Sequence, residues 1–115
     1  MHTHAIFLPV KVSDAKLRQF VESRGGDWQQ DSSGVQGVWD GGPKAYFFLR
    51  PLPEDWRLDD GDPAQLARVE QILGRPVKQV MAIDRSRKPE AAAIARPVID
   101  AIVAEWGGHE IDCGG

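Results

Sequence analysis

The run Ala45-Tyr46-Phe47-Phe48-Leu49 constrains this chain more than any other stretch. It is the most apolar and aromatic segment, bounded by Asp40-Gly41-Gly42-Pro43 on one side and by prolines 51 and 53 on the other. A short apolar run between turn signals reads as a strand. Tyr46 and Phe48 then point one way and Phe47 and Leu49 the other, so the strand is expected to be central and covered on both faces. Trp28-Gln29-Gln30 and Val35-Gln36-Gly37-Val38-Trp39, separated by Asp31-Ser32-Ser33-Gly34, supply its neighbours, and the three read as an antiparallel meander.

The flanking segments alternate between strand and helix patterns. Ala5-Ile6-Phe7-Leu8-Pro9-Val10 reads as a first strand that Pro9 brings to an end. Residues 13–24 form an amphipathic helix, with Leu17, Phe20 and Val21 on one face and Gly25-Gly26 as the exit. After a loop over residues 50–61, Asp62-Pro63 starts a second helix whose stripe is Leu66, Val69, Ile72 and Leu73. Val77 to Ile83 is a strand, and residues 89–106 are a well-buried helix that Pro97 is expected to kink or split. Glu110-Ile111-Asp112-Cys113 is a short edge strand. The order is β-α-β-β-β-α-β-α-β. It predicts an α+β two-layer sandwich, with three helices over a mixed or antiparallel sheet of about five to six strands. Part of that order resembles a ferredoxin-like arrangement.

With 115 residues and no linker long enough to divide it, the chain reads as one α+β domain over 1–115. Its 14 basic and 17 acidic side chains give a charge of -3 and a pI near 5.5, which excludes a generally basic nucleic-acid binder. No 18-residue apolar run marks a membrane span, and residues 1–6 lack the features of a signal peptide. A single cysteine, Cys113, cannot form an internal disulfide, so a cytoplasmic location is expected.

Catalytic signatures are sparse. The serines at 13, 23, 32, 33 and 86 sit in caps and turns, and no histidine lies between His4 and His109 to act as a base. Asp40 and Asp84 each end a predicted strand and are the candidates for a carboxylate mechanism, against their ordinary use as turn or cap residues. His2, His4, His109 and Cys113 are ligand types that suit zinc, but their spacing is that of exposed termini, and neither a metal nor a cofactor is assigned. Gly41-Gly42-Pro43-Lys44 lacks the phosphate-loop spacing. Arg85, Arg87 and Lys88 precede a helix and form a candidate anion site, weighed against a solvated basic turn.

The most unusual feature is acidic. Glu54, Asp55, Asp59, Asp60 and Asp62 place five carboxylates in nine residues, with Arg57 the one cation and Trp56 and Leu58 interleaved. Crowded like charges repel, which favours a compensating use. Glu54, Asp55, Trp56, Asp59 and Asp60 are therefore the candidate partner-binding residues. The carboxylates would steer a basic protein surface into contact and Trp56 would anchor it. A divalent cation on Asp59, Asp60 and Asp62 is a weaker alternative, because the calcium-loop pattern is incomplete. A polar loop with Trp56 folded onto the core is the plain reading.

The C-terminal half carries a resemblance. Ile72-Leu73-Gly74-Arg75-Pro76, a strand, Ser86-Arg87, a long helix ending Glu105-Trp106-Gly107-Gly108 and then Ile111-Asp112 resemble the small immunity proteins of bacterial polymorphic toxin systems, over roughly residues 70–112. The resemblance implies a cytoplasmic α+β protein that binds a cognate toxin domain and blocks its active site or groove. It carries over no toxin-contact residue. The expected function is stoichiometric neutralisation of a toxin, more a binding protein than an enzyme, with a protein partner and neither direct nucleic-acid nor membrane contact. The alternatives are a small enzyme or ligand-binding domain for an anionic metabolite, and a homodimeric accessory subunit.

Overall fold

The computed structural model describes residues 1–53 and 63–114. Six strands form one antiparallel sheet: β1 (His2–Leu8), β2 (Asp27–Asp31), β3 (Gly34–Asp40), β4 (Tyr46–Pro51), β5 (Gln79–Arg85) and β6 (His109–Gly114). Their order across the sheet is β2-β3-β4-β5-β1-β6. With α1 (Asp14–Ser23), α2 (Pro63–Leu73) and α3 (Pro89–Trp106), they follow the expected order in the chain. None of these helices is long and apolar enough to cross a membrane.

Strand alternation decides which side chains meet the helices. Ile6 and Leu8 of β1, Phe47 and Leu49 of β4, and Met81 and Ile83 of β5 share one face. All six are fully buried there with Leu17, Phe20 and Val21 of α1 and Ala95, Val98, Ile99 and Ile102 of α3. The helices are positioned by their ends. Ser13 caps α1 by accepting from the Lys16 amide at 3.2 Å. Pro89 opens α3, and Gly107, at φ 69°, closes it in the left-handed region. Pro97 does not split α3, which runs through it as one 18-residue helix.

The reverse face is covered more lightly. Val69 of α2 and Val77 pack with Phe7 and Val80 in a second, smaller apolar cluster. Tyr46 and Phe48, by contrast, are only half-buried, their rings tilted together at 5.5 Å. β4 is thus central in the order, but one of its faces is partly open among the described residues. The edges fall to β2, which is mostly exposed and carries Asp27 and Asp31, and to β6, whose pairing with β1 shifts register between Thr3 and His4. Edge charges and irregular pairing discourage joining to another sheet.

α1 lies on β2 and β3 through glycine. A Cβ placed on Gly37 would stand 2.7 Å from Val21 Cγ2 and 3.0 Å from Trp39 Cζ3. Gly37→Val should therefore push α1 off the sheet and destabilise the protein by at least about 1–3 kcal/mol, read as a lower urea midpoint. A midpoint equal to that of the native chain would show that α1 has room to yield.

Candidate functional site

Beyond the apolar rows, the same strands bring charged groups together at one end of the sheet. β1 starts at His2, three residues before the first apolar position, so the histidines are part of a strand and not of an exposed terminus. The 2-residue period places His2 and His4 on the helix-facing side, in line with Ile6 and Leu8. β6 pairs His4 with Asp112 and Ile6 with Glu110, so both carboxylates face the same way. β5 pairs His2 with Arg85 on the other flank.

His4 is 4% exposed, and both of its ring nitrogens are engaged. Arg85 Nε donates to Nε2 at 3.0 Å, and Nδ1 lies 2.8 Å from Glu110 Oε2. A guanidinium can only donate, so Nε2 accepts and Nδ1 carries the proton that Glu110 receives. Arg96, reaching down from α3, holds the other side of Glu110 with Nη2 donating to Oε1 at 2.5 Å, and its Nε donates to Asp100 at 3.1 Å. His2 Nε2 meets Asp112 Oδ1 at 2.5 Å, and the two histidine rings lie 4.9 Å apart.

These contacts set the charge states. Burial pushes the Glu110 carboxyl up, but hydrogen bonds from Arg96 and His4, with the charge of Arg96, outweigh it and leave the group below its ordinary value. The hydrogen bond to Glu110 raises Arg96 correspondingly. Asp112 is lowered by the Gly114 amide and then by His2. Among the described residues, no buried side-chain nitrogen or oxygen is left without a partner.

The other candidates separate. Asp84 points to the reverse face, where it accepts from Thr3 Oγ1 at 2.7 Å and Arg50 Nε at 3.3 Å. Asp40 accepts from the Gly42 amide at 3.1 Å in its own turn. β3 and β5 flank β4, two strand spacings of about 4.8 Å each, so the two carboxylates do not share a site. His109, opposite Phe7, faces away from His4 onto the reverse side, and Cys113 falls where the pairing of β6 with β1 shifts register. Burial and the nearby carboxylates of Asp112 and Asp84 raise the Cys113 thiol, the opposite of what an activated nucleophile needs. Ser86 spends its hydroxyl on the Lys44 carbonyl at 2.5 Å.

Of the candidate anion ligands, Arg85 turns inward to His4, while Arg87 and Lys88 line an open groove of about 400 Å³ with Lys44 and Tyr46 at the start of α3. Glu54, Asp55, Trp56, Asp59 and Asp60 lie outside the described residues, as does Asp62. Trp39 is buried in the main core, and Trp28, partly buried, packs against it.

Sequence reasoning missed the His4–Glu110–Arg96 chain because its members are 106 and 14 residues apart. The signal that marks it is a pair of polar alternations, His2-Thr3-His4 and Glu110-Ile111-Asp112, each placing two chemistry-bearing groups on one face once the segment is a strand. No family model matches this chain, and neither the curated proteins nor the solved structures contain a significant match to it.

Proposed function

We propose that this chain is a protein-binding domain of the immunity type, acting in the cytoplasm to neutralise a cognate toxin by stoichiometric binding. The observation that carries the reading is how the charge is distributed. Five acids and one arginine give residues 54–62 a charge of −4, so the rest of the chain nets +1 within an overall −3. The whole negative balance sits in nine residues around Trp56, between β4 and α2. A concentrated patch of one sign speeds encounter with an oppositely charged surface, and an aromatic within it supplies the desolvated anchor. A basic groove, such as that of a nuclease domain, is the matching partner.

Among the described residues the candidate catalytic groups do not converge, which favours binding over catalysis. Asp40 and Asp84 serve separate local roles, and His4 is held between Arg85 and Glu110. The test is to mix the protein with the product of its neighbouring gene. Co-elution and a one-to-one calorimetric titration are expected, and the absence of both rejects the reading. Replacing Asp55, Asp59 and Asp60 together by Asn should slow association roughly tenfold at low salt and flatten its dependence on ionic strength. An unchanged association rate would remove the acidic segment from the interface.

A further inference from the structure

We infer that His2, His4 and Asp112 form a binding site for one borderline divalent transition-metal cation, of which zinc is the representative. One ligand atom from each of the three lies within 4.8 Å of the other two. The grouping follows from β-structure: two histidines two residues apart on one strand, and an aspartate directly opposite His4 on the neighbouring strand. Two imidazole nitrogens and one carboxylate oxygen are a donor set that suits zinc and its first-row neighbours, and three protein ligands leave a position open for water.

The surroundings fit this role in a second, independent way. A metal-bound imidazole commonly donates its other N–H to a carboxylate, which fixes the ring and the tautomer. His4 already has that arrangement. Its Nδ1 is held by Glu110, which Arg96 holds in turn, and the ring is buried. The nitrogen left with a lone pair is Nε2, on which Arg85 Nε now rests. Binding an ion through that nitrogen requires Arg85 to give up this hydrogen bond. His2 and Asp112 are the adjustable members. Both are at least partly exposed, and they face each other at 2.5 Å through a contact that a metal ion can replace.

His109, the other imidazole nearby in the chain, lies on the reverse face, and Cys113 is not among the three converging ligands. This separates the site from an unspecific gathering of terminal histidines. Glu110 is a positioning residue here, since it touches only His4 and Arg96 among the groups of the site.

The experiment is an isothermal titration of the full chain, carrying no affinity tag and stripped with a chelator, with zinc sulfate. One zinc per chain is expected, with a melting temperature that rises as zinc is added. His2→Ala and Asp112→Asn should each weaken binding at least tenfold, while His109→Ala should leave it unchanged. Both weakening substitutions fall at partly or fully exposed positions, so circular dichroism should match the native chain. As a spectroscopic check, cobalt in place of zinc should give visible d–d bands that disappear in Asp112→Asn. No binding, or binding as tight in His2→Ala and Asp112→Asn as in the native chain, would overturn the assignment. So would binding that depends on His109.

Discussion

Trp39→Ala should cost about 3–5 kcal/mol of folding stability, the largest effect expected of any single substitution among the described residues. Trp39 is 7% exposed and stacks on Phe47 with ring centroids 4.6 Å apart and planes 9° from parallel. Its indole N–H donates to the Arg24 carbonyl at 3.1 Å, so the side chain also ties the end of α1 to β3. Truncation would open a cavity between the sheet and α1, and Gly26 and Gly37, which face the indole, have no side chains to refill it. For a domain of this size the loss corresponds to a fall in melting temperature of roughly 15 °C. Trp39→Phe should recover much of the area but not the hydrogen bond. A variant in which Ala melts no lower than Phe would mean that the indole is not the wedge described here.

Glu110→Ala should produce the second effect, and its size should depend on pH. The substitution removes the acceptor of both His4 Nδ1–H and the Arg96 guanidinium, leaving a buried donor unsatisfied. Breaking a fully buried ion pair costs about 3–5 kcal/mol. Arg96 is half exposed, so about 1–3 kcal/mol is the appropriate expectation at neutral pH. The folded state lowers the carboxyl of Glu110, and the sign follows from that. The contribution is present in full above the ordinary glutamate range, about 4.3, and is lost as pH falls below it through the lower folded value. Urea midpoints of the native chain and the variant should therefore differ most near neutrality and converge as pH drops below about 4. A gap that stays constant into acid would show that the charge of Glu110 plays no part in holding His4.

Element type and order were legible from local patterns. The apolar run at 45–49, the Gly turns on either side of β3 and the capped stripes of α1 and α3 each depend on neighbours within a few positions. Boundaries were less so. Starting β1 at Ala5 followed the apolar residues and left His2 and His4 outside the strand, although the ladder to β5 extends to His2. Polar residues at a strand end look like a terminus when hydropathy is the guide. The expectation that β4 is covered on both faces came from its composition, but how much of the reverse face a helix covers depends on where α2 docks. No periodicity encodes that.

The polar cluster was illegible for a related reason. It joins positions 4, 85, 96 and 110, and only strand order places them side by side. A reader of the sequence sees an isolated His, a basic turn and an acidic tail. The register turns them into one connected set, and draws Arg85 away from the basic turn to which it belongs by sequence.

The strand order has a consequence for how the molecule is made. β1, the earliest of the six strands in the sequence, lies between β5 and β6, and its strand partners begin at Gln79. Until that point is synthesised, Ile6, Phe7 and Leu8 have no strand to lie against, whereas β2, β3 and β4 form a local hairpin series that can assemble at once. Contacts this distant in sequence close late and slow the search for the native state. An apolar segment that waits this long for its partners is also exposed to wrong pairing. The topology therefore requires an early strand of the sequence to be inserted between two later ones.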